Sequence, residues 1–290
     1  MDAAYSGRAA RSLELLHSVA YFAPEVETEL TSVGLERVAS RYVAGRVAAL
    51  GAVGPGVAIA TFYNFAPRLI EAALPQAWQT AAPSEVVAAR QRGVDAALTR
   101  LLGPDTVASP QMAEAAELAA SIARAVPGAE GRPLYAGHAD LPWPEAPHLV
   151  IWHALTLLRE FRGDGHIAAL QTAGLTGLEA LITHTASGIG FSEQFAQTRR
   201  GWSGDEWAAA AAALRARGLL DNSGALTGDG FEVRELVEDL TDDLAAAPWH
   251  TVGEPAVERL LDLAIPWRDT IVDSGLFGSG VFGPRFGDAR

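Results

Sequence analysis

Apolar positions recur three and four residues apart along almost the whole chain, while alternating runs of strand length are nearly missing. That spacing predicts an all-α fold with at most one hairpin. The punctuation agrees. Ser109-Pro110 joins an N-cap to a proline at the first helical position, and Thr176-x-x-Glu179 and Ser203-x-x-Glu206 are capping boxes whose side chains satisfy orphan amides reciprocally. Gly103, Gly174, Gly188 and Gly218 stand where helices should stop. Helices are expected near residues 9–20, 25–50 with a break, 55–74, 84–102, 110–125, 147–162, 165–173, 176–187, 191–199, 204–217, 228–246 and 254–273.

Between Val126 and Pro147 four prolines and three glycines exclude a long helix and mark a seam between two helical halves. The expected organisation is an N-terminal helical domain over 1–135 and a C-terminal helical domain over 136–274. A tail over 275–290 either is disordered or docks Phe277, Phe282 and Phe286. Residues 176–247 resemble a degenerate winged helix. Two helices precede a capped helix from Ser203 to Arg217, and Leu219-Leu220 is expected to pair with Ala225-Leu226 in a short β-hairpin across Asp221-Asn222-Ser223-Gly224 before Thr227 caps the next helix.

Charge argues against DNA as its target. The chain has 290 residues and a formal net charge of −13, and all 22 basic residues are arginine. The groove-facing helix would open on Gly204-Asp205-Glu206-Trp207 and continue as six alanines, with its only cations, Arg215 and Arg217, at the far end and none on the wing. Arg199-Arg200 just before it would neutralise too few phosphates to offset the net charge. The absence of cysteine excludes disulfides, thiolate nucleophiles, Cys-ligated zinc and iron–sulfur clusters. The absence of lysine excludes Schiff-base chemistry and a Walker-type phosphate lysine. No His-x-x-x-His pair occurs, so no metal is expected, and no cofactor is indicated. Apolar runs are cut by Arg, Glu, Gly or Pro and the first ten residues hold no signal-peptide core, so a soluble cytoplasmic protein without a membrane partner is expected.

The most informative stretch runs from Trp152-His153 to Leu158-Arg159-Glu160-Phe161-Arg162-Gly163-Asp164-Gly165-His166. Five ionisable groups in eight positions lie between two apolar helices. Gly163 and Gly165 are expected to let the chain reverse, with Asp164 capping a helix that bears His166 near its first turn and keeps that imidazole neutral. Two readings stand, and both can hold together. Arg159, Glu160, Arg162 and Asp164 form an ion network pinning helices, or they form a site in which guanidiniums clamp a carboxylate, phosphate or enolate. Elsewhere His17 and Tyr21 lie on the first helix, and Arg46 follows Arg41-Tyr42. Tyr63 and Asn64 form a polar corner that either lines a pocket or satisfies a helix end before Pro67.

Taken together, His17-Ser-Val-Ala-Tyr21-Phe22-Ala-Pro24-Glu25, Tyr42-Val-Ala-Gly45-Arg46, Phe62-Tyr63-Asn64-Phe65-Ala-Pro67, Gly131-Arg132-Pro133-Leu134 and Leu158-Arg159-Glu160-Phe161-Arg162-Gly163-Asp164-Gly165-His166 resemble the SalK-like helix-turn-helix proteins of actinobacteria over nearly the whole chain. Phe161 departs from that pattern, which has histidine there. The resemblance implies specialised metabolism, since one namesake is encoded in a polyether antibiotic cluster, and its label implies regulation. The residues favour a small-molecule-binding protein or enzyme with an anionic or oxygen-rich ligand. In that reading His166 is the candidate acid/base, Asp164 and Glu160 orient it, and Arg159, Arg162, His17, Tyr21, Arg46, Tyr63 and Asn64 bind ligand. The alternatives are a dimeric regulator binding operator DNA through 191–217 and a self-resistance protein that sequesters a metabolite.

Overall fold

The computed structural model describes residues 2–286. Helices form where the spacing places them, and prolines set many of their starts. Pro24, Pro55, Pro67, Pro83, Pro104, Pro110, Pro133 and Pro147 each open a helix, where the missing N–H costs nothing and the fixed φ is already helical. In the first part of the chain the helices are α1 (Ala3–Phe22), α2 (Pro24–Ser32), α3 (Val38–Val47), α4 (Pro55–Phe62), α5 (Pro67–Glu71), α6 (Gln76–Thr80), α7 (Pro83–Leu102), α8 (Pro104–Val107), α9 (Pro110–Arg124) and α10 (Pro133–Ala139). They are followed by α11 (Pro147–Thr172), α12 (Gly177–Ala186), α13 (Glu193–Arg200), α14 (Gly204–Ala216), α15 (Gly228–Ala245), α16 (Ala247–Val252) and α17 (Glu254–Asp273). Among the described residues no helix is long and apolar enough to cross a membrane by itself.

Both capping boxes close. Thr176 and Ser203 accept from the amides of Glu179 and Glu206, at 3.3 and 3.2 Å, and the two glutamates return the bond to the cap amides at 2.9 Å each. Gly103, Gly174, Gly188 and Gly218 all have positive φ at helix ends.

Helix α11 organises the molecule. From His148 to Phe161 nearly every residue is buried, so this helix is apolar around its circumference and must run through the interior. It packs against α1, α7, α9, α10 and α15. Two hydrophobic clusters meet along it. One gathers residues from Ala9 to Phe161 and again from Trp249 to Phe277; the other gathers Ala169 to Val237, including residues of α12, α13 and α14.

Two expectations require correction. The chain does not reverse at Gly163-Asp164-Gly165, because α11 continues unbroken to Thr172. Gly165 serves close approach instead: a Cβ there would lie 2.3 Å from Arg132 Nη1. The Arg132 guanidinium packs over the Phe161 ring and donates to the carbonyls of Phe161 and Leu244. The β-hairpin is also absent. Among the described residues there are no strands, and the expected wing is one bridge between Leu220 and Leu226. The reason is local, since Asp221 Oδ1 takes the amides of Ser223 and Ala225 at 2.8 and 3.0 Å, and the flanking segments are too short for a ladder.

The tail docks through residue 286. Its backbone runs against 188–192, with Ser192 N–H donating to Val281 O at 2.9 Å and Arg285 N–H to Gly188 O at 2.9 Å. Phe277 meets Phe22 edge-on at 5.2 Å, and Phe282 stacks on Phe191 at 5.9 Å, so the tail joins the first cluster to the entrance of α13.

Candidate functional site

A cavity of about 340 Å³ opens between α1, α11 and α15, within the usual range for small-molecule sites. Helical spacing builds its walls. Ala10, Leu13, Glu14 and His17 come from one face of α1, and Leu155, Leu158, Arg159, Arg162 and His166 from one face of α11. Arg46 comes from α3, His184 from α12, Glu238 and Thr241 from α15, and Trp249 from α16. Gly163 leaves part of the wall without a side chain; a Cβ there would meet nothing closer than Glu160 Oε2 at 3.7 Å.

Glu160 lies underneath, fully buried. It accepts from Arg46 Nη2 at 2.8 Å and from Arg159 Nη1 at 2.9 Å, and these two cations hold its carboxyl well below the usual range against the cost of burial. Arg159 also donates to Glu14 Oε1 at 2.8 Å. At the other end Arg162 reaches Asp242 Oδ1 at 2.9 Å and Glu238 Oε2 at 3.2 Å, Arg11 reaches Asp242 at 3.1 Å, and Arg234 reaches Glu238 Oε1 at 2.6 Å. The two carboxylates thus fix the guanidinium of Arg162, whose buried Nη1 keeps no partner.

Hydroxyl geometry fixes the tautomers of two cavity histidines. Thr241 donates its only hydroxyl proton to Val237 O at 2.6 Å, so at 2.8 Å it accepts from His166 Nδ1–H, and His166 Nε2 keeps its lone pair. Thr156 likewise donates to Trp152 O at 2.9 Å and accepts from His17 Nε2–H at 3.1 Å, which leaves His17 Nδ1 as an acceptor without a partner. Burial, with nearby arginines, keeps both rings neutral. His166 falls to about 3 and His184 to about 4, and His17 lies well below its ordinary value. A helix N-terminus is not the cause for His166, which sits deep in α11.

Of the residues singled out in the sequence, His17, Arg46, Arg159, Arg162 and His166 line the cavity. Glu160 supports it from below, and Tyr21 stands behind His17, 5.6 Å from its ring, with a buried hydroxyl that has no partner. The other three serve elsewhere. Asp164 accepts from the Tyr135 amide at 3.0 Å and so caps α10, not its own helix; burial lifts its carboxyl to about 6. Tyr63 donates to Leu175 O at 2.6 Å, ahead of α12, and Asn64 O accepts from the Trp202 indole at 2.9 Å, between α13 and α14. Arg11, Glu14, His184, Glu238, Thr241 and Trp249 are lining residues that sequence reading missed. Glu238 and Thr241 share a face of an acidic helix that reads as solvated, and nothing local ties them to residue 166.

The helix-turn-helix geometry is present in α13, a tight turn at Gly201 with φ +76°, and α14. Its turn rests on the first part of the chain: Ala66 N–H donates to Arg200 O at 2.9 Å, and Arg68 donates to Gly201 O and pairs with Glu206 at 2.7 Å. The solvent face of α14 is Gly204, Asp205, Ala208, Ala209, Ala212, Ala213, Arg215 and Ala216. Among the described residues the fold is all-helical, and this helix-turn-helix defines its class. Residues 6–278 match a helix-turn-helix family, and the chain belongs to that family. No curated protein and no solved structure matches it.

Proposed function

We propose that this protein binds a small, oxygen-rich anionic molecule in the cavity between α1, α11 and α15, and that its helix-turn-helix unit is used for packing. The carrying observation is the joint presence, around one cavity, of arginine donors and of His166, whose tautomer leaves the Nε2 lone pair bare. Arginines suit carboxylate or phosphate oxygens, and bare imidazole nitrogens suit hydroxyl donors. A hydroxycarboxylate offers both. Binding is favoured over catalysis because a buried imidazole with a pKa near 3 is a weak base at neutral pH. A ligand of specialised metabolism, either sensed or sequestered, is the reading in line with the resemblance to SalK-like proteins. The division of the chain into helical domains near residue 136 is part of the same proposal.

The family match favours a second reading, a regulator bound to operator DNA. Against it stands the alanine face of α14, which offers one arginine and no amide or hydroxyl to base edges.

Gly163→Leu separates the readings, since it fills the cavity and removes no ion-pairing group; its Cβ would meet Glu160 Oε2 at an ordinary contact distance of 3.7 Å. The variant should keep or raise its melting temperature, because leucine favours helix over glycine by about 1 kcal/mol. Citrate and malate should stabilise the wild type and leave Gly163→Leu unmoved in thermal denaturation. Equal stabilisation of both proteins would remove the cavity reading, and salt-sensitive binding of upstream DNA by both would establish the regulator.

A further inference from the structure

A second, smaller cavity of about 50 Å³ lies between α7, α10 and α11, lined by Arg90, Gln91, His138, Trp152 and His153 with a wall of Pro142 and Pro144. It shares no lining residue with the large cavity. By volume it has room for roughly three waters or one carboxylate-sized ion.

Arg90 is the anomaly. Its side chain is buried, 4% exposed, and among the described residues its guanidinium makes no hydrogen bond and no ion pair. Its contacts are with the faces of Trp152 at 4.9 Å and Tyr21 at 5.6 Å. Three less buried arginines have carboxylates, Arg46 and Arg159 sharing Glu160 and Arg162 holding Glu238 and Asp242, whereas Arg200 lies against the Phe65 ring at 4.2 Å. Arg90 Nη2 is buried without an acceptor, and leaving its N–H donors unpaired is costly. His138 Nε2, His153 Nε2 and Arg90 Nη2 are three buried nitrogens without a partner on residues that line this one small space. The imidazoles stay neutral, with His138 at about 3 and His153 at about 4, held down by burial and by Arg90 itself. They leave one positive charge and several donors around a space with no carboxylate in its wall.

We propose that this cavity is a binding site for a small monovalent oxyanion of formate or nitrate size, held by Arg90 with His138 and His153 as neutral donors. The ligand supplies the charge that Arg90 lacks, and the proline wall excludes larger anions. Water alone would satisfy the donors but leave the charge uncompensated.

The sign of the mutational effect tests this. Sodium formate and sodium nitrate, against sodium chloride at equal ionic strength and sulfate as the oversized control, should raise the wild-type melting temperature selectively and saturably. Arg90→Met should melt at or above the wild type in chloride, because it removes an uncompensated buried charge, and should lose the formate response. Gln91→Glu, a change on a half-buried rim residue that keeps the fold even if Arg90→Met does not, should weaken formate binding at least tenfold in calorimetry. Gly163→Leu should keep the whole formate response, so failure of the large-cavity reading leaves this one standing. A wild type that responds alike to formate, nitrate and chloride would overturn the proposal, leaving a water-filled cavity. So would a formate response that Gln91→Glu keeps unchanged.

Discussion

Glu160→Ala is expected to destabilise the protein by about 3–5 kcal/mol, the cost of leaving buried charge without its partner. The mutation strips the shared acceptor from Arg46 and Arg159 at once, at a position with no solvent exposure. Glu160→Gln should cost nearly as much, since an amide keeps the shape and one acceptor but not the charge. Denaturant unfolding followed by circular dichroism reads this as a lowered midpoint at unchanged slope. A loss below about 1 kcal/mol would mean that water reaches the two guanidiniums and that the floor of the cavity is open.

Acid should unfold the protein early. His138 and His166 are held at about 3 and His153 and His184 at about 4 in the folded state, all lowered from 6.5, and His17 moves the same way. A depressed folded-state pKa contributes stability that is full above 6.5 and is lost as pH falls toward the folded value, because the unfolded chain takes up the protons first. Asp164 opposes this, since its pKa rises to about 6 from 3.8 and the folded state gains a proton in that window. The four histidines at about 3 and 4, less Asp164, leave about three protons in favour of the unfolded chain between pH 5.5 and 4.5, or roughly 4 kcal/mol per pH unit, and His17 adds to it. Against a typical total of 5–15 kcal/mol, this removes most of the stability by pH 4. Unfolding free energies measured at pH 7.5, 6.5 and 5.5 should fall with increasing steepness; a flat profile would show that the histidines titrate normally and lie in water.

The helical class and the caps were legible because they depend on local spacing: Ser203 and Glu206 are three residues apart, and their reciprocal bonds follow from that alone. The path of the chain through Gly163-Asp164-Gly165 was not. Glycines mid-sequence read as a turn, whereas here Gly165 makes room for Arg132 from 33 residues earlier, and Asp164 caps a helix that the sequence does not bring near it. The hairpin reading failed for a smaller reason, namely that the Asp221 side chain takes amides a ladder would need.

The candidate site divides in the same way. His17, Arg159, Arg162 and His166 were visible as polar residues in phase with apolar helix faces, whereas the partners that fix them, Thr156, Thr241, Glu238 and Asp242, lie on segments with no sequence tie to them. Arg90 carries a signal that is readable from spacing alone. It falls on the buried stripe Val86, Ala89, Gly93, Val94 and Ala97 of α7, where an arginine must find a partner or hold a ligand.

Native mass spectrometry of wild type and Gly163→Leu, purified in parallel at neutral pH and then incubated with citrate, tests the central claim most directly. The account predicts a one-to-one anionic adduct on the wild type, lost on acidification, and a bare chain for Gly163→Leu. A bare wild type, or an adduct carried equally by Gly163→Leu, would contradict it.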